Sequence, residues 1–119
     1  MTAAFAFENL EVYKLSIQWV ETTESLLENI KGKVSRTFCD QLTRASLSIP
    51  LNIAEGHGRW HKPDKRNFFW IARGSVFECV PLLEVLMRKE LLSENDYDQS
   101  REQQTVMGKM LTNLVKAHE

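Results

Sequence analysis

The chain has 119 residues, 43% hydrophobic and 26% charged, with a net charge of −1, which places it in the soluble globular class as one domain over residues 1–119. Its two cysteines, Cys39 and Cys79, are too few for a disulfide framework. No apolar run is long enough to span a bilayer, and the N-terminus lacks the basic start and apolar stretch of a signal peptide, so a cytoplasmic location without a membrane partner is expected.

Four helical segments follow in chain order, with no convincing strand. The first is predicted from Asn9 to Glu28. Leu10, Tyr13, Ile17 and Val20 form one stripe, and Val12, Leu15, Trp19 and Leu26 form another beside it. Gly32 is the expected breaker. The second helix is predicted from Ser35 to Glu55, with Phe38, Leu42, Ala45, Ile49 and Ile53 on its inner stripe. Pro50 lies inside it and should kink it near Ser46–Ile49, where Ser46 or Ser48 could serve a freed carbonyl. Gly56 and Gly58 are expected to end it in the left-handed conformation.

The third helix is predicted from Pro63, a good first-turn residue, to Lys89. It carries Gly74, for which close packing is the expected compensation, and Pro81, which predicts a second kink. Ser93 is the expected N-cap of the fourth helix, Glu94 to Ala117, with Asp96 at the capping-box position. Its inner stripe is Tyr97, Gln104, Met107, Leu111 and Leu114. Short connections favour antiparallel neighbours, so the expected fold is all-α: an antiparallel up-down-up-down four-helix bundle.

Enzyme chemistry finds little to stand on. No Glu-x-x-His pair suggests a di-iron bundle. His57 and His61 have zinc spacing, but the neighbouring Gly56, Gly58 and Pro63 put them in a loop without a third ligand. No base is placed beside either thiol, and no phosphate-binding glycine loop occurs. A non-enzyme without metal or cofactor is expected. The polar residues of the helices are read as structural. Asn52, near the core stripe, is expected to act as a buried register device. Glu55 and Glu78 are expected to pair with Arg44 or Arg73 at helix contacts.

Charge is unevenly spread. Residues 1–30 carry a net −4, residues 31–73 a net +6 and residues 74–119 a net −3. The basic middle culminates in Arg59, His61, Lys62, Lys65, Arg66 and Arg73, with Trp60 among them and Phe68, Phe69 and Trp70 close by. Cations beside aromatics suit RNA or single-stranded DNA, since Lys and Arg meet phosphates and a ring stacks on an unpaired base. Cations at a helix N-terminus also oppose the helix dipole, so another interaction must offset them. An anion is one candidate and an acidic neighbouring subunit another. Arg59, Lys62, Lys65 and Arg66 are expected in solvent. The alternative reading is a protein–protein scaffold, in which the charge asymmetry serves self-assembly and a polypeptide partner.

Several motifs resemble one family. "FENLEVYKLS" resembles its opening Phe-Glu-Asp-Leu-x-Val-Trp/Tyr, and "SIPLNIAEGHGR" its Ser-Ile-x-x-Asn-Ile-Ala-Glu-Gly-x-Gly-Arg signature. "FFWIARGSVFECVPLLE" is similar to its Phe-x-x-Ile-Ala-x-Gly-Ser-x-x-Glu run, and "LLSENDYD" to its last interhelical turn. The resemblance, from about Phe5 to Lys116, is to the four-helix-bundle proteins encoded by intervening sequences in large-subunit ribosomal RNA genes. That family also contains the accessory protein of diversity-generating retroelements.

The resemblance implies antiparallel bundles assembled into homopentameric rings. It also implies, for the retroelement branch, a basic ring surface that binds nucleic acid and a reverse transcriptase. Asn52, Ile53, Ala54, Glu55, Gly56, Gly58 and Arg59 match the central signature, with Pro50 just before it. Gly74, Ser75 and Glu78 match the signature of the third helix. Lys65 stands where the family commonly has an aromatic residue, and His61 where it often has a capping serine. The retroelement branch is strongly basic overall, and this chain is not. Exposed Trp19 and Trp70 are expected to contribute apolar surface to a ring interface.

Overall fold

The computed structural model describes residues 4–119, and among them all regular structure is helical. A single 3-10 turn, Ala6–Asn9, leads into α1 (Glu11–Asn29), followed by α2 (Arg36–His57), α3 (Lys62–Arg88) and α4 (Glu94–Lys116). The four long helices pack as a bundle. α3 lies centrally, against α2 on one side and α4 on the other, while α1 meets α2 more closely than α4.

Periodicity accounts for the core. Val12 and Trp19 of α1 share one buried cluster with Leu42, Ile49 and Ile53 of α2, Val76 and Leu83 of α3, and Met107 and Leu111 of α4. Trp19 is only 1% exposed, so the expectation that it adds interface surface is corrected: it is part of the buried core cluster. Trp70, at 53% exposure, remains on the surface.

The turns follow local chemistry. Gly32 adopts φ +84° between α1 and α2, a conformation open to glycine. The Ser35 hydroxyl accepts from the Phe38 N–H at 3.1 Å and caps α2. The Ser93 hydroxyl does the same for the Asp96 N–H at 3.1 Å and caps α4. α3 ends in a Schellman arrangement: the Leu91 N–H donates to the Leu86 carbonyl and the Glu90 N–H to that of Met87. Glu90 takes the left-handed position, φ 62°, usually held by glycine.

Two expectations about α2 need correction. The helix does not stop at Glu55: it runs on through Gly56 to His57, and Gly58 caps it at φ −77°, not in the left-handed region. Gly56 is needed for close approach instead. A Cβ there would lie 2.8 Å from the buried Phe69 ring and 3.0 Å from the Phe68 Cβ. Pro50 lies within the continuous span of α2, as Pro81 does within α3, and the second correction concerns the serines near it. Neither nearby serine turns back to a freed carbonyl. Ser46 faces the Cys79 sulfur at 3.8 Å, and Ser48 bonds to Asn52 and Ser75.

Candidate nucleic-acid interface at the junction of α2 and α3

The connection between α2 and α3 is short, residues 58–61. Pro63 lies in the first turn of α3, as expected, and His61 sits at the N-cap without a side-chain capping bond. His57 is the last residue of α2, not a loop residue, and its ring lies 6.3 Å from that of Phe7. No group of three or more His, Cys, Asp or Glu among the described residues is arranged to hold a metal ion.

The nominated cations divide into three sets. Arg59, His61 and Lys62 are exposed, and Trp60 among them is 90% exposed. Arg59 forms an ion pair with Glu55 one turn back and lies 4.7 Å from the centre of the Phe68 ring. Lys65 and Arg66 are half-buried, which corrects the expectation that they lie free in solvent. The Lys65 ammonium donates to the His57 carbonyl at 2.8 Å, and the Arg66 guanidinium donates to the His118 carbonyl. Arg73 lies about 16 Å along α3 from Lys62, at 1.5 Å per residue. Its guanidinium covers the Trp70 and Phe77 rings at 4.6 and 4.2 Å, and its Nε donates to the Thr112 hydroxyl at 2.9 Å.

These bonds answer the electrostatic question raised by the sequence. Cations in the first turns of α3 oppose that helix's dipole. The C-terminal ends of α2 and α4 converge on the same place, and their unpaired carbonyls attract positive charge. Lys65 and Arg66 each reach one of those ends. Sequence reasoning missed this because the partners are 8 and 52 residues away. The available signal was the helix order itself, which in a bundle brings the end of one helix beside the start of the next.

The remaining signature residues lie along α2 and α3. Asn52 is half-buried rather than a core residue, and its amide donates to the Ser48 carbonyl at 2.8 Å and hydroxyl at 2.9 Å. Ser75, buried on α3, donates to the Ser48 hydroxyl at 2.8 Å. Asn52, Ser48 and Ser75 thus form one polar seam joining α2 to α3. Glu55 pairs with Arg59 rather than Arg44 or Arg73, and Glu78 is exposed without an ion pair among the described residues. Gly74 is also exposed, with nothing within 4 Å of a would-be Cβ, so close packing within the chain does not explain it. Both cysteines are free thiols. Burial pushes the Cys79 thiol above its ordinary 9.0, outweighing the opposing contacts of Ser46 and Trp19. Cys79 therefore stays protonated at neutral pH and is a poor nucleophile.

The signature seam, the glycine-permitted contact at Gly56 and the junction all fall within one match to a known family. The profile of the 23S rRNA-intervening sequence proteins matches residues 8–113. This chain belongs to that family. The fold of the intervening-sequence proteins is also seen in a crystal structure from Bacteroides thetaiotaomicron VPI-5482, of a protein with unknown function from the S23 ribosomal protein family. It superposes with a TM-score of 0.81 at 24% identity, covering 88% of this chain and 98% of that one. Among curated proteins none matches this intervening-sequence protein.

Proposed function

We propose that this intervening-sequence protein is a non-enzymatic, cytoplasmic, oligomeric binder of RNA or single-stranded DNA, acting through the α2–α3 junction. One observation carries the reading. Trp60 is 90% exposed between Arg59, His61 and Lys62, all of them exposed too. An indole so placed contributes nothing to the core, whereas stacking on an unpaired base beside phosphate-binding cations gives it a role. No helix among the described residues is long and apolar enough to cross a membrane.

In this reading the chain is one domain of up-down-up-down topology, and five copies form a ring, as the family resemblance implies. Exposed Leu51 and Trp70, together with the open space at Gly74, supply apolar surface for subunit contacts. The ring would repeat each junction, so weak single contacts would add by avidity. The same apolar surface supports a second reading, a scaffold for a polypeptide partner.

The test leaves Lys65 and Arg66 in place, because they hold the helix ends together. Trp60→Ala combined with Lys62→Glu is measured by fluorescence anisotropy against a mixed-sequence RNA oligonucleotide across a salt series. Wild-type binding should weaken with salt, with a log–log slope near −0.7 for each phosphate contacted. The double variant should bind at least about tenfold more weakly, given a stacking contribution of about 1–3 kcal/mol per base, with helicity and subunit count unchanged. Undiminished affinity in an intact oligomer overturns the nucleic-acid reading. Capture of one defined protein without nucleic-acid affinity establishes the scaffold.

A further inference from the structure

A groove of about 650 Å³ runs between α3 and α4, away from the junction. That volume falls within the range of small-molecule sites. Its α3 wall is apolar, built from Val76, Phe77, Val80 and Pro81. On α4, Gly108 leaves the floor open: a Cβ there would meet only the edge of the Phe77 ring, at 3.6 Å. The lining includes three cations, Arg73, Arg101 and Lys109, and no carboxylate. None of the three forms an ion pair among the described residues.

The groove also contains an unmet hydrogen-bonding group. Gln104 lines it and is 3% exposed, and neither its amide nitrogen nor its amide oxygen has a partner. A buried amide left unpaired is costly, and a ligand that pairs with it removes that cost. The terminal torsion of glutamine is soft, so a small rotation turns the N–H toward the groove. Arg101 lies one helical turn before Gln104 and Gly108 one turn after it, on the same face of α4.

We propose that this groove binds a small amphipathic carboxylate with an alkyl tail. The head would take the Arg101 guanidinium, which lies 3.4 Å from the Tyr97 hydroxyl and would turn from it toward the Gln104 amide one helical turn away. The tail would run over Gly108, along Val76, Phe77 and Val80. From Arg101 to Asn113 the α4 wall spans about 18 Å, at 1.5 Å per residue, which suits an extended chain better than a compact ring. This site is separate from the junction, and its test leaves Arg59–Lys62 and Arg73 unaltered, so either proposal can fail without the other.

The probe is decanoate, titrated calorimetrically into the assembled protein, with decanol as the uncharged control. Saturable binding of one decanoate per chain is expected, at least tenfold tighter than decanol. Arg101→Glu and Gln104→Leu should each weaken decanoate at least tenfold while circular dichroism stays unchanged. Gly108→Leu should abolish binding by filling the tail channel. Gln104→Leu keeps the test valid even where Gly108→Leu fails to fold, because leucine matches the buried site in size. Absence of saturable binding, equal affinity for decanol, or unchanged affinity in Arg101→Glu and Gln104→Leu overturns the proposal. So does a change in subunit count with Gly108→Leu by light scattering, which would assign the groove to a second copy of this chain.

Discussion

At the turns between α1 and α2 and between α3 and α4, helix starts are closed by serine hydroxyls, Ser35 and Ser93, that accept backbone N–H groups. At the junction of α2 and α3 the N-cap is His61, which makes no such bond. There the opposite problem is solved: Lys65 and Arg66 donate to carbonyls at the ends of α2 and α4. Both regions satisfy orphaned backbone groups, but one uses neutral acceptors and the other uses positive charge. A basic cluster is therefore not by itself a measure of ligand-binding capacity. Part of the charge at the junction is spent on holding the bundle together, and the part left over is carried by Lys62 and a partly paired Arg59.

The contrast can be broken most forcefully at Gly56. Gly56→Val places methyl groups where a Cβ already lies 2.8 Å from the Phe69 ring. Overpacking of this kind should cost about 2–3 kcal/mol, measured by urea unfolding. A loss below about 0.5 kcal/mol, smaller than most overpacking penalties, would mean that the junction yields easily and that the contact is incidental. Gly74→Ala, in open space, is the matched control. It should stabilise the chain by up to about 1 kcal/mol through helix propensity alone.

Next in size is the joint change Lys65→Met and Arg66→Met. Removing two charged donors from helix ends should cost about 2 kcal/mol in total, on the basis of dipole and charged hydrogen-bond contributions. The loss should shrink when unfolding is repeated at about 1 M salt, where charge interactions are screened within about 3 Å. Ser35→Ala and Ser93→Ala should each cost about 1 kcal/mol, and that cost should be the same at both salt concentrations. Equal salt dependence in the two sets would erase the distinction drawn between the regions.

The smallest expected effect sharpens the serine-capped side. Glu90 occupies the left-handed position of the α3 terminus with φ 62°. Glu90→Gly should raise stability by about 1 kcal/mol, relieving the penalty of that conformation for a residue with a Cβ. A thermal melt that falls instead would show that the Glu90 side chain contributes more than its backbone strain costs.

The four helices, the Gly32 turn and the Ser93 cap were legible because they depend on local rules of spacing and capping. The junction was legible only as composition. Gly56 has the residue type of a helix stop, and local chemistry assigns it that role. Its actual role is set by Phe69, which reaches it only after α3 folds back. The same holds for Arg66 and the His118 carbonyl. Asn52 lay on the correct face, but its amide bonds Ser48 on its own helix, and the Ser48 hydroxyl is shared with Ser75 on another. Trp19 and Trp70 look alike in sequence and differ because Trp19 packs into the core cluster while Trp70 lies on the outer face of α3 under Arg73. Gln104 was placed on the inner stripe, yet nothing local signals that its amide lacks a partner.

The aromatic and basic contacts at the junction also bring the two extremities of the fold together. Phe7, before α1, packs edge-on to Tyr13 at 5.1 Å and against His57 at the end of α2. His118, after α4, lies 5.5 Å from Phe69 and holds Arg66. The entry to α1 and the exit from α4 are thus fastened to neighbouring points of one surface. A short polar linker could join them, with new ends opened at Gly32 or in the turn at Glu90. Such a rearranged order of helices should retain the bundle, since tolerance of permutation depends on close termini and exposed turns. Ends opened there would lie at the far ends of α2 and α3 from Trp60 and Lys62.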